Sequence, residues 1–170
     1  MITEAYRDQQ RALHATGTYG VMGEQLGPFV TQVAQHYGVK TLLDYGCGSR
    51  QSLRRSLGSW IDYRGFDPCV EAFSADPAPA DMVACIDVME HVEPEFTDAT
   101  IERIAQLTKR VALVTVHTGP AIKVLSDGRN AHIVQQPFRW WLPKFLAHFE
   151  LERFGKLPGG FLLVLSPVLR

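Results

Sequence analysis

The sequence predicts an α/β fold: a mainly parallel sheet between two layers of helices, closed by an antiparallel hairpin. Three observations carry that prediction. Apolar runs at 39–44, 61–66, 81–88 and 110–117 alternate with helical segments from residue 26 onward, the order that builds parallel sheets. The runs at 81–88 and 110–117 are almost continuously apolar, as strands buried on both faces are. The last two runs, Leu151 to Lys156 and Gly160 to Leu165, are joined by Leu157-Pro158-Gly159 and can pair as a hairpin.

Residues 4–15 read as a polar helix leading into a loop at Gly17-Thr18-Tyr19-Gly20. Leu26, Phe29, Val30, Val33, Ala34 and Tyr37 recur at helical spacing, and Gly38 suits the end of that helix. The strand at 39–44 runs into Tyr45-Gly46-Cys47-Gly48, and a short helix follows at 52–57. Ile61 to Phe66 is the second strand, closed by Asp67-Pro68, and 71–80 reads as a loop. After the strand at 81–88, Pro94 opens a helix that buries Phe96, Ile101, Ile104, Ala105 and Leu107. Residues 118–136 are a long polar segment, and such loops in compact domains are functional or disordered. Helical spacing returns with Phe138, Trp141, Leu142, Phe145, Leu146 and Phe149; Pro143 either kinks that helix or starts it. Trp140 and Trp141 are adjacent and cannot share a helix face, so one is core and the other partly exposed.

At 170 residues and 46% apolar content, the chain supports one well-packed domain. We divide it into a helical cap at 1–38 and a core at 39–170. Lys plus Arg is 17 against 18 Asp plus Glu, so the basic excess of a dedicated nucleic-acid binder is absent. Arg50, Arg54 and Arg55 are the one basic cluster and read first as a solvated helix face. Cys47, Cys69 and Cys85 form no CxxC pair. That argues against a zinc ribbon or disulfide framework and for reduced thiols in a cytoplasm. The N-terminus is polar and charged, unlike a signal peptide, and no apolar run nears the roughly 20 residues of a membrane helix.

Asp44, Asp67, Asp87 and His117 each end one predicted strand. In a parallel sheet those ends share one edge, and ligands bind there. Gly46 and Gly48 lack a Cβ, so the turn after the first strand can lie flat against a bound molecule.

This ordered set of motifs resembles the class I S-adenosylmethionine-dependent methyltransferases. The first motif is Leu43-Asp44-Tyr45-Gly46-Cys47-Gly48 and the second Gly65-Phe66-Asp67-Pro68. The fourth-strand motif is Asp81-Met82-Val83-Ala84-Cys85-Ile86-Asp87-Val88-Met89-Glu90-His91-Val92. The likeness runs from about residue 39 to about residue 165. It implies a Rossmann-like three-layer sandwich that binds S-adenosylmethionine. Gly46, Cys47 and Gly48 would touch the cofactor's amino-acid portion, with Asp44 near its ammonium group. Asp67, beside Pro68, would accept both ribose hydroxyls, and Asp87 would approach the methionine part. The family often has a third glycine where Arg50 stands. It also usually has a strand between the second and fourth motifs, yet only about a dozen residues separate Asp67 from Asp81. One edge strand is therefore expected to be missing, and a non-catalytic module that binds S-adenosylmethionine or its product stays open.

The implied reaction is methyl transfer to an oxygen or nitrogen of a small-molecule acceptor, whose proton a histidine or glutamate takes. Asp87, Glu90 and His91 are spaced i, i+3, i+4 and share one side of a helical turn if one forms there. Glu90, His91, His117 and His132 are the candidate catalytic residues. A Glu–His pair that only stabilises the turn is the alternative. The Glu90-His91 pair is also similar to the metal-dependent methyltransferases of small-RNA 3′ ends. There the matched set Asp87, Glu90, His91 and His132 would hold a cation, and the reaction would be RNA 2′-O-methylation. Asp87 stands where that family has glutamate. Residues 127–134 are placed to cover the cleft, with Lys123 and Arg129 able to hold an anionic acceptor. Residues 13–20 are expected to fold over the cofactor, with Thr18 or Tyr19 holding its carboxylate.

Overall fold

Side chains along each central strand alternate between two apolar clusters, and this alternation makes the three layers. The computed structural model describes residues 2–15 and 22–168. The strands are β1 (Thr41–Tyr45), β2 (Asp62–Phe66), β3 (Ala80–Ile86), β4 (Thr108–His117), β5 (Phe149–Leu157) and β6 (Gly160–Pro167). The helices are α1 (Glu4–Ala15), α2 (Met22–His36), α3 (Ser52–Ser56), α4 (Thr97–Leu107) and α5 (Phe138–Leu146). Leu42, Met82, Ala84, Val111 and Leu113 turn to one face of the sheet, where α2 (Val30, Val33, Ala34) and Leu53 of α3 cover them. Leu43, Val83, Cys85, Ala112 and Val114 turn to the other, under α4 (Ile101, Ile104, Leu107) and α5 (Trp141, Phe145).

The sheet order is β2-β1-β3-β4-β6-β5. β2, β1, β3 and β4 are parallel, and β6 runs antiparallel to both β4 and β5. This is the predicted α/β sandwich with its closing hairpin. β2 is an edge strand, and between it and β3 the chain makes only a 3₁₀ turn at Glu71–Phe73. The strand expected to be missing is missing.

Several boundaries differ from the sequence reading. α2 begins at Met22 rather than Leu26. The third strand stops at Ile86, because Asp87 adopts a left-handed backbone with φ of 52° and cannot continue the pleat. Pro94–Phe96 is a 3₁₀ turn that leads into α4. Pro143 lies inside α5, which starts at Phe138. Trp141 is fully buried and Trp140 half-buried, so core packing accounts for the pair. Arg54 and Arg55 are exposed on α3, a solvated face. All three cysteines are free and buried. Among the described residues no helix is long and apolar enough to cross a membrane. The loop expected at 17–20 and the contacts expected from Thr18 and Tyr19 lie outside the described residues.

β4 and β6 approach closely where His117 pairs with Gly160. A Cβ on Gly160 would collide with the carbonyl oxygen of Val116. Backbone cannot yield as a side chain does. Gly160→Ala should therefore cost about 1–3 kcal/mol, read as a lower urea midpoint; an unchanged midpoint would mean the strands part freely.

Candidate functional site

Parallel register brings the ends of β1, β2, β3 and β4 to one edge of the sheet. The turn after β1 is built there. Gly46 donates its amide to the Phe66 carbonyl at 2.7 Å. Its φ is +87°, and a Cβ would collide with Val88, so the position needs glycine. Asp67, just past β2, accepts the Gly48 amide on Oδ2 at 3.0 Å and the Cys69 amide on Oδ1 at 2.8 Å. Each oxygen keeps a second lone pair.

Asp44 is 4% exposed and accepts a 2.6 Å hydrogen bond from the Tyr63 hydroxyl. Burial pushes its pKa up to about 7; the Tyr63 bond opposes this and Asp67 adds to it. Asp87 is held by Thr115 of β4. The Thr115 hydroxyl donates to Asp87 Oδ1 at 2.6 Å and accepts the Asp87 amide at 2.9 Å.

Met89–His91 is a single 3₁₀ turn. The left-handed Asp87 breaks the helical phase before it, so Asp87, Glu90 and His91 do not share a regular helix face; Glu90 stays near His91 but turns into the core. Glu90 is fully buried. Its Oε1 accepts the His117 amide at 3.0 Å, and its Oε2 is buried with no hydrogen-bond partner. Burial, reinforced by Asp87, holds this carboxyl well above the usual range. His132 sits between the other two imidazoles, with ring centroids 4.8 Å from His91 and 4.9 Å from His117. His91 Nδ1 faces the Ala131 carbonyl at 2.7 Å, and His132 Nδ1 faces the Gly119 carbonyl at 2.7 Å. A carbonyl only accepts, so each Nδ1 carries a proton, and in the neutral ring Nε2 is the nitrogen with the lone pair. Burial holds the His132 pKa below the ordinary value, with His117 adding to the effect. The ligand atoms of Glu90, His91 and His132 lie within 4.8 Å of one another.

The long segment after β4 folds around Asn130. Its Oδ1 accepts the amides of Ala121 and His132, both at 2.9 Å, and its Nδ2 donates to the Ala121 carbonyl at 2.8 Å. That clasp carries His132 to the sheet edge. α1 closes the other side. The Tyr6 hydroxyl donates to the His91 carbonyl at 2.7 Å, and Thr3 donates its amide and hydroxyl to Glu93 at 2.8 and 2.6 Å.

A cavity of about 310 Å³ opens between these parts. Asp44, Gly46, Cys47, Gly48, Asp67, Pro68, Asp87, His91 and His132 all line it. Glu90 and His117 do not line it, though Glu90 lies beside His91 and His132, which do. Lys123 and Arg129 are not at the wall either; Arg129 pairs with Asp127 at 2.7 Å. Sequence reasoning missed Tyr63, Thr115 and the α1 residues Tyr6 and Gln10. The spacing Ile2, Tyr6, Gln10, Leu13 on one helical face was the available signal for α1.

No family model matches the chain, and no curated protein matches its sequence. Solved structures do match. The 1,6-didemethyltoxoflavin-N1-methyltransferase of Burkholderia thailandensis, with 1,6-didemethyltoxoflavin and S-adenosylhomocysteine bound, is 13% identical and aligns with a TM-score of 0.71, covering 95% of this chain and 86% of that one. The DhpI–SAH complex is 15% identical with a TM-score of 0.65, covering 98% and 95%. The magnesium protoporphyrin IX methyltransferase of Synechocystis, with SAM bound, is 16% identical with a TM-score of 0.58, covering 99% and 86%. The chain thus has the class I S-adenosylmethionine-dependent methyltransferase fold.

Because the folded Asp44 pKa is raised to about 7 from 3.8, the unfolded chain ionises first. Its stability contribution is full below about pH 4 and lost as pH rises to about 7. The loss should amount to at most roughly 4 kcal/mol. Chemical unfolding of wild type and Asp44→Asn across that window should show the slope shrink in the variant; identical slopes would exclude a buried, proton-holding Asp44.

Proposed function

We propose that the chain is an S-adenosylmethionine-dependent methyltransferase, acting as one domain on an oxygen or nitrogen of a small-molecule acceptor. The observation that carries this is the meeting of Asp44, Gly46, Gly48, Asp67 and Asp87 in one cavity whose wall also holds His91 and His132. When bound, S-adenosylmethionine supplies a methyl group on a cationic sulfur. The residues present suit it. Gly46 makes the left-handed turn that lays bare backbone along the cavity wall, Asp67 has lone pairs for both ribose hydroxyls, and Asp44 and Asp87 complement positive charge. Among the described lining residues four are carboxylates (Asp44, Asp67, Asp87, Glu93) and none is Lys or Arg. That field favours a neutral acceptor over an anionic one.

In the neutral form with Nδ1 protonated, His91 or His132 has the basic Nε2 that the acceptor's proton requires. Glu90 acts at one remove, by holding the His117 amide. Three free, buried thiols accord with a reducing cytoplasm. Calorimetric titration should give heat with both S-adenosylmethionine and S-adenosylhomocysteine. Asp67→Asn should weaken both by about 10- to 100-fold, the worth of hydrogen bonds to a charged group. Absence of heat and of thermal shift with either nucleoside in the wild type would remove catalysis from consideration.

A second reading, cation-assisted 2′-O-methylation of RNA, is favoured by one observation: the close ligand atoms of Glu90, His91 and His132. Two imidazoles and a carboxylate suit zinc, manganese or iron, and such an ion would lower the acceptor hydroxyl's pKa. Asp87 is not in that set. This reading expects methyl transfer to RNA to vanish with a chelator and in His132→Ala. Transfer that survives chelation rules it out.

A further inference from the structure

We propose that Tyr6 is a positioning residue for His91: the N-terminal helix orients the imidazole at the acceptor end of the cavity. This rests on the reading of the cavity as a methyl-transfer site. His91 belongs to no long element. It ends a three-residue 3₁₀ turn, so its orientation must come from tertiary contacts.

Tyr6 supplies them from two directions. It is 2% exposed on an otherwise polar helix. Its hydroxyl donates to the His91 carbonyl at 2.7 Å and accepts from Gln10 Nε2 at 2.6 Å, so it is used in both senses. Its ring packs in one cluster with Leu125 and Ala131. Ala131 is the residue whose carbonyl accepts from His91 Nδ1. One tyrosine thus holds both the main chain of His91 and the partner of its ring. Thr3 fixes the start of the same helix to Glu93, two residues past His91. Ile2, Tyr6 and Gln10 also wall the cavity. The element that encloses the donor therefore sets the nitrogen that meets the acceptor.

The consequence is chemical. With Nδ1 protonated toward Ala131, Nε2 keeps its lone pair for the acceptor proton. If the His91 turn drifts, Nδ1 loses its carbonyl, both tautomers become populated, and Nε2 is protonated part of the time.

The test is Tyr6→Phe, which keeps the ring and its packing and removes only the hydroxyl. Nitrogen-15 imidazole spectra should show His91 fixed as the Nδ1–H tautomer in wild type and averaged in the variant. With S-adenosylmethionine and an accepted acceptor, kcat should fall about 10- to 100-fold, as misplacement of a reacting group does. KM for the cofactor should stay within about threefold. Gln9→Ala is the control. It cuts the 3.0 Å tie from Gln9 Nε2 to Asp127, which links the same helix to the same segment without touching His91, and it should leave tautomer and kcat unchanged. A Tyr6→Phe protein with the wild-type tautomer overturns the proposal, as does a Gln9→Ala protein with the same defects. A wild-type chain that transfers no methyl group but shows the tautomer change in Tyr6→Phe supports the positioning and counts against the reading of the site.

Discussion

Two backbone amides, those of Gly48 and Cys69, converge on the carboxylate of Asp67. The rest of the site depends on that convergence. Gly48 belongs to the turn after β1 and Cys69 to the turn after β2, and parallel pairing alone aligns only the strands that precede them. Asp67 joins the two turns and fixes the width of the crevice between them. The amides of Gly46 and Cys47, both directed at the Phe66 carbonyl, complete the brace. A carboxylate with four lone pairs can do this and still accept from a ligand. An amide side chain offers one oxygen; receiving both turns would use both of its lone pairs and leave none for a ligand.

Charge inside the edge of the sheet follows from burial. Asp44 is enclosed beside Asp67, and ionising both without a cation is costly. The protein answers with one hydroxyl donor, Tyr63, and with a proton on Asp44 over much of the range below neutrality. Glu90 is fully buried, and burial reinforced by Asp87 holds its carboxyl well above the usual range. A ligand that brings positive charge relieves the first strain. A ligand atom or ion that reaches Glu90 Oε2 would relieve the second. The two buried acids thus differ: Asp44 is in the cavity wall, and Glu90 stands outside it beside His91 and His132.

The strands and their order were legible because each buried strand is an apolar run and each run ends in a polar residue. Asp44, Asp67, Asp87 and His117 could be placed on one edge by that logic alone. Glu90 could not. The i, i+3, i+4 rule presumes right-handed helix, and Asp87 at φ of 52° breaks it, sending Glu90 into the core. Tyr63 and Thr115 were illegible for another reason. Each reaches its carboxylate across a strand pair, Tyr63 from β2 to β1 and Thr115 from β4 to the end of β3. Nothing local announces such a partner. His132 was placed in the long loop without a path, and that path depends on the three hydrogen bonds of Asn130.

The missing edge strand has a structural consequence. With β2 at the margin, the sheet lacks the neighbour that would extend the crevice on that side. The wall is supplied from outside the sheet, by Ile2, Tyr6 and Gln10 of the N-terminal segment and by Val92 and Glu93 beyond the third strand. These two pieces are bound to each other, Thr3 to Glu93 and Tyr6 to His91. A strand wall would be rigid and independent of the histidines. A helix wall docked on the His91 turn is not independent of them. On the proposed reading of the site, enclosing the donor and aiming the proton acceptor would be one packing problem, which the docking of the N-terminal segment on the His91 turn would solve.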